Sequence, residues 1–184
     1  IIVLSLRFMG KCTYNKVSGT SVPRDFVELP SQIMENWAAD PEVLKVYARH
    51  YKTGEPIPQE LIDKLKNSGH FNQGFVTTEF MAAALLDMAY HTRNTTDPVN
   101  PNEFEKATLE KIGLIPEITV RYRSPYFQHI FAGGYSSGYY AYTWAEVLDA
   151  DAFEAFKETG NIFNPEKAKA FRENIPTIQL GMNS

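Results

Sequence analysis

Two stretches carry residue types that can do chemistry. In RDFVELPSQIMENW, residues 24–37, a helical period puts Glu28, Ser31, Gln32 and Glu35 on one face and Phe26, Leu29, Ile33, Met34 and Trp37 on the other. The two carboxylates are then aligned two turns apart. Such a stripe is either the water-facing side of an amphipathic helix or a row of hard donors in which Glu28 is a metal ligand, with partners from other segments. The second stretch is HIFAGGYSSGYYAYTWAEVLDADAFEAFKETG, residues 129–160. It reads as a glycine pair leading into a long helix, with Tyr135, Tyr139 and Tyr142 on one face at i, i+4 and i+7 and His129 just before the turn. Phenol and imidazole donors on a loop that closes over a ligand could stabilise an oxyanion. The alternative is an aromatic core stripe with its hydroxyls at the rim. Gly133 and Gly134 allow close backbone approach or hinge motion.

The elements that must position these residues are helical. Polar NKVSGTSVPRD leads into the Glu28 helix with Pro23 at its start, and Pro30, which lacks the amide for the Phe26 carbonyl, predicts a kink or a restart there. Asp40 caps a helix with Pro41 at its first position, and PIPQELIDKLKNSG gives another that ends at Gly69. The stretch FNQGFVTTEFMAAALLDMAYHT is apolar most of the way round, which predicts a central helix sheathed by others. An amphipathic helix over 102–112, the irregular LIPEITVRYRSPY and a last helix opened by Asn164 and Pro165 complete the chain.

A chain of 184 residues with 43% hydrophobic and 22% charged residues can bury one core, so a single helical domain over 1–184 is expected. The net charge of −4, with no basic block, excludes nucleic acid and an anionic membrane as main partners. Cys12 is the only cysteine, so neither an intrachain disulfide nor a cysteine zinc site is available. The opening IIVLSLRF is too short to span a bilayer, which takes about 20 apolar residues, and reads as a buried strand or helix end. A first residue Ile1 rather than Met points to a fragment or a processed product.

Taken together, SGTSVPRDFVELPSQIMENW, ARHYKTGEPIP, FNQGF with ALLDMA, and HIFAGGYSSGYYAYTWAEVLDADAFEAF resemble one family. They are similar to the C-terminal catalytic region of the zinc peptidases that include thimet oligopeptidase, oligopeptidase A and bacterial dipeptidyl carboxypeptidase, from about Met9 to about Arg172. The resemblance implies an all-α fold, a helical fragment of the catalytic domain of a zincin-type oligopeptidase. It also implies hydrolysis of short peptides by metal-activated water, with zinc as cofactor. In that family a glutamate in a DFVE-type sequence joins two histidines of an HExxH helix as zinc ligand, and Glu28 matches it. Glu35 is then placed to orient a ligand histidine. By the same resemblance His129, Tyr135 and Tyr142 match residues that contact substrate and stabilise the tetrahedral intermediate. Tyr139, Gly133 and Gly134 are their substrate-binding neighbours.

The sequence contains no HExxH, and His50, His70, His91 and His129 form no spaced pair that replaces it. The family spacing puts the second ligand histidine near Val3, and the tail ENIPTIQLGMNS also departs from the family pattern. The 184-residue chain alone is therefore expected neither to bind zinc stoichiometrically nor to hydrolyse peptides. The expected partners are short peptides and the upstream region of the same protein, in the bacterial cytoplasm or alternatively the periplasm. The wording GGYSSGYYAY is closest to bacterial peptidyl-dipeptidases, with an oligopeptidase A-type endopeptidase next. A second reading is a non-catalytic helical remnant with at most weak peptide binding.

Overall fold

The computed structural model describes Lys16 and residues 19–174. The end segment IIVLSLRF, the position Val3 and most of the tail ENIPTIQLGMNS lie outside the described residues. The helices are α1 (Arg24–Val27), α2 (Leu29–Ala38), α3 (Pro41–Tyr47), α4 (Gln59–Ser68), α5 (Gln73–His91), α6 (Pro101–Lys111), α7 (Gln128–Phe131), α8 (Ala141–Lys157) and α9 (Pro165–Asn174). A 3₁₀ turn, Ser124–Tyr126, precedes α7. Among the described residues extended backbone pairs at one isolated antiparallel bridge, Arg49 with Pro56, so the fold is all-α as expected. No helix among them is long and apolar enough to cross a membrane. Where the sequence suggests a single helical domain over 1–184, the residues group into two compact units. One holds the described residues up to Ile62 together with those from Ala141 onward, and the other holds Asp63–Tyr140.

In the first unit the helical face of RDFVELPSQIMENW is broken at Glu28. Pro30 cannot return a hydrogen bond to the Phe26 carbonyl, so α1 ends at Val27 and the chain restarts as α2. The Glu28 carbonyl accepts the amides of Ser31 at 3.1 Å and Gln32 at 3.0 Å, which makes Glu28 the first residue of the new ladder. Both α1 and α2 pack on α8. Leu29, Pro30 and Ile33 are buried in that contact layer, whereas Met34, expected on the same apolar face, is exposed. Farther along α2, the Trp37 ring meets Phe153 and Phe156 edge-on, with centroids 4.8 and 4.9 Å away, and its Nε1 donates to the Ile162 carbonyl at 2.9 Å. The indole thus fills apolar space and still satisfies its one donor. Asp40 caps α3 by accepting the Glu42 amide at 2.8 Å, with Pro41 at the first helical position.

In the second unit Ala82 and Leu86 of α5 meet Val120, with Tyr90, Phe104, Leu109 and Leu114 around them. The buried carboxylate of Glu105 on α6 accepts Arg123 Nε and, at 2.7 Å, the Ser124 amide, which pins the 3₁₀ turn to α6. The sheathed central helix is corrected here. Ala82, Ala83, Ala84, Leu86 and Asp87 are buried, but Phe75, Val76, Met81, Leu85 and Met88 are exposed. A helix can be apolar all round in sequence while the packing supplies neighbours for only one side. The long helix expected after Gly134 is also shorter than predicted, because residues 132–140 form turns and α8 starts at Ala141.

Candidate functional site

The predicted site residues divide between the two units. Glu28, Glu35 and Tyr142 belong to the first, and His129, Gly133, Gly134, Tyr135 and Tyr139 to the second.

Glu28 is half-buried at the restart of α2, where the Ser31 hydroxyl donates to its Oε2 at 3.0 Å and to its own carbonyl at 2.8 Å. One turn on, Gln32 Nε2 donates to the Tyr142 carbonyl at 3.1 Å, which ties the polar stripe of α2 to the first turn of α8. Gln32 Oε1 is buried and makes no hydrogen bond. The stripe Glu28, Ser31 and Gln32 is therefore half-buried rather than water-facing, and only Glu35 is exposed. Glu35 adds its negative field to that of α8. The Glu146 carboxyl is raised above its usual range by burial first, then by the charges of Asp149 and Glu35.

In the second unit α7 carries His129 in a single helical turn, and the chain then folds back over it. The Gln128 carbonyl accepts the amides of Ala132 at 2.8 Å and Gly133 at 2.7 Å, and the His129 carbonyl accepts the Tyr135 amide at 2.9 Å. A Cβ on Gly133 would lie 2.8 Å from the His129 Cα and 2.9 Å from the His129 carbonyl oxygen, so the close approach requires glycine. Gly134 follows with φ 81°, in the left-handed region. The half-buried His129 ring stands 4.9 Å from that of Tyr122, 5.9 Å from Tyr139 and 6.0 Å from Tyr135.

Two expectations are corrected by this arrangement. Tyr135, Tyr139 and Tyr142 do not share a helical face, since Tyr135 and Tyr139 lie in the turns before α8 and Ser137 between them has φ 55°. Tyr139, expected to contact substrate, is 2% exposed, its ring stacked on Phe80 at 5.0 Å and edge-on to Phe127 at 4.9 Å. Burial pushes its phenol up to about 12, so it stays neutral through the physiological range. This ring is core.

Asp87 and Tyr122 were not singled out from the sequence. Asp87 on α5 is fully buried, and its carboxylate accepts the Ser137 amide at 3.0 Å and the Tyr139 amide at 2.9 Å. His91 Nδ1 lies 2.8 Å from the same carboxylate and 2.9 Å from the Asp87 carbonyl, both acceptors, so that nitrogen carries the proton. An acid inside the apolar run ALLDMA, with a histidine four residues on, is the trace this leaves in sequence. Tyr122 sits in an irregular segment and leaves no periodic trace.

Among the described residues no group of three or more His, Cys, Asp or Glu side chains could hold a metal ion. Glu28 offers a single carboxylate, and the described residues do not by themselves fit a zinc site.

Residues 7–175 match the sequence pattern of peptidase family M3. The chain belongs to this family. It is 45% identical over 164 residues to the dipeptidyl carboxypeptidase of Escherichia coli, a match that covers 88% of this chain and 24% of that protein. It is 42% identical over 168 residues to oligopeptidase A of Salmonella typhimurium, again 88% and 24%. Against the organellar oligopeptidase A of Arabidopsis thaliana it is 41% identical over 137 residues, 74% of this chain and 17% of that one. The chain thus spans about a quarter of the length of the bacterial relatives. Inside the M3 match fall the Glu28 restart, the Gly133 close approach and the Asp87 bonds.

Proposed function

We propose that this chain is part of a zinc metallopeptidase that hydrolyses short peptides, either as a dipeptidyl carboxypeptidase or as an oligopeptidase. The observation that carries the reading is the M3 match over residues 7–175, with dipeptidyl carboxypeptidase and oligopeptidase A as relatives at 45% and 42% identity. In this reading Glu28 is one ligand of the zinc, together with donors that the described residues do not include. A bound zinc would supply an activated water and a Lewis acid. The chain's own groups bind and orient. Tyr142 offers a phenol at the start of α8, and His129 and Tyr135 offer an imidazole and a phenol from the folded-back turn, as donors to the peptide carbonyl and to the oxyanion it becomes. The protein acts in the cytoplasm, with the periplasm as the alternative.

Within this reading the dipeptidyl carboxypeptidase type is favoured by GGYSSGYYAY, and its substrates are peptides with a free C-terminal carboxylate. A second reading, a non-catalytic helical piece that binds peptides weakly, is favoured by the lack of a metal-holding cluster among the described residues. The test joins this chain to an upstream HExxH helix and substrate wall and measures cleavage of a quenched peptide. Chelator-sensitive turnover that is lost in Glu28→Ala is the expected result. Absence of turnover in a folded, zinc-loaded protein would leave the second reading.

A further inference from the structure

We propose that Asp87 is the positioning residue of the segment that carries His129 and Tyr135, holding the turns before α8 in one preorganised conformation rather than leaving them as a hinged lid. The role in catalysis rests on the peptidase reading; the anchoring itself does not. Oδ1 of Asp87 accepts the Ser137 amide and faces His91 Nδ1, while Oδ2 accepts the Tyr139 amide. A fully buried carboxylate is tolerated only where such donors satisfy it. The two amides come from residues 50 and 52 positions away, so the bonds fix the turns against α5 and not merely against themselves.

The bonds also explain an unfavourable backbone. Ser137 has φ 55°, a left-handed conformation that a residue with a Cβ adopts reluctantly. It persists when the surroundings over-determine it, and the Asp87 carboxylate on either side of Gly138 does so. The stretch from His129 to Tyr135 is closed by the Tyr135 amide on the His129 carbonyl and by Ser136 Oγ on the Ile130 carbonyl. With Ser137 and Tyr139 held from α5 and Ser136 held from α7, the segment has little freedom to swing. The glycine pair then serves close packing at Gly133 and a left-handed turn at Gly134.

Asparagine at position 87 keeps the shape but offers one acceptor oxygen and a donor NH₂, so one of the two amides loses its partner. In the 184-residue chain, Asp87→Asn should accelerate hydrogen exchange at the Ser137 or the Tyr139 amide at least about tenfold, while Leu86 and Val120 keep their protection. In the enzyme completed with the HExxH region, activity normalised to folded protein should show kcat reduced about 10²-fold with KM little changed, and Asp87→Glu, one methylene longer, should not restore it. Unchanged exchange at both amides in Asp87→Asn would overturn the anchoring. If that variant does not fold, the unaltered chain decides, slow exchange at Ser137 and Tyr139 supporting the proposal and fast exchange overturning it. Normal kcat in a variant whose amides have been freed would overturn the positioning role, whereas a completed enzyme with no turnover would sink the peptidase reading and leave the exchange result standing.

Discussion

The Asp87 carboxylate accepts the amide of Ser137, 50 residues later, at 3.0 Å, and Ser137 is the one residue between Gly134 and Ala141 recorded in a left-handed conformation, with φ 55°. A buried carboxylate on α5 thus specifies the backbone of the glycine- and tyrosine-rich turns. The local spacing of the tyrosines predicts a helix there. The acceptor on α5 prevails because the Ser137 and Tyr139 amides point at a carboxylate that must be satisfied.

Gly133→Ala should destabilise the chain by about 1–3 kcal/mol, the range for forcing extra carbon into filled space. The new Cβ would meet the Cα and carbonyl oxygen of His129, backbone atoms with no rotamer to escape into. Gly74→Ala is the control, because nothing lies within 4 Å of a Cβ there, near the start of α5, and it should stabilise by about 0.4–1 kcal/mol. Urea midpoints of the two variants that move in the same direction would count against the close approach.

Tyr139→Phe should leave peptide turnover in the completed enzyme near normal, since the ring is core and the phenylalanine keeps its packing. It should also remove a dependence on alkaline pH. Burial raises the folded-state value to about 12, whereas an unfolded tyrosine titrates near its ordinary value of 10.0. The neutral phenol therefore contributes its full stability below the unfolded value and loses it as pH rises through the folded one. Unfolding midpoints between those two pH values should fall in the unaltered chain more steeply than in Tyr139→Phe.

Tyr142→Phe tests the proposed oxyanion donor. In the completed enzyme kcat should fall about 10²- to 10³-fold, with KM and zinc content little changed, because the bond is made mainly in the transition state. The Tyr142 contact with Gln32 uses the backbone carbonyl and survives the change. A near-normal rate would return Tyr142 to ordinary packing.

Glu28→Gln should act on the metal instead. Loss of the proposed anionic ligand should weaken zinc binding in the completed enzyme, so activity should fall and added zinc should restore part of it. The 184-residue chain alone is expected to carry zinc well below one equivalent when its metal content is measured after purification. One tightly held equivalent, removed by Glu28→Ala, would show that a full donor set forms within the chain.

Much of the architecture was legible in the sequence because it depends on near neighbours. Pro30 forbids one hydrogen bond to Phe26, and the break at Glu28 follows from that alone. Asp40 with Pro41, and Asn164 with Pro165, mark helix starts through bonds spanning two or three residues. The family was legible as well, since DFVELPSQIMENW and GGYSSGYYAY are local strings. Which faces are buried was not. The polar stripe of α2 turns inward because Tyr142 offers a carbonyl to Gln32 across 110 residues, the α5 residues Phe75 and Leu85 stay exposed because no neighbour among the described residues covers them, and Tyr139 becomes core because Phe80 and Phe127 close over it. Local pattern sets the period of the backbone and the steric limits of a turn, whereas burial and the satisfaction of a carboxylate such as Asp87 are set by distant groups that only the folded chain brings together.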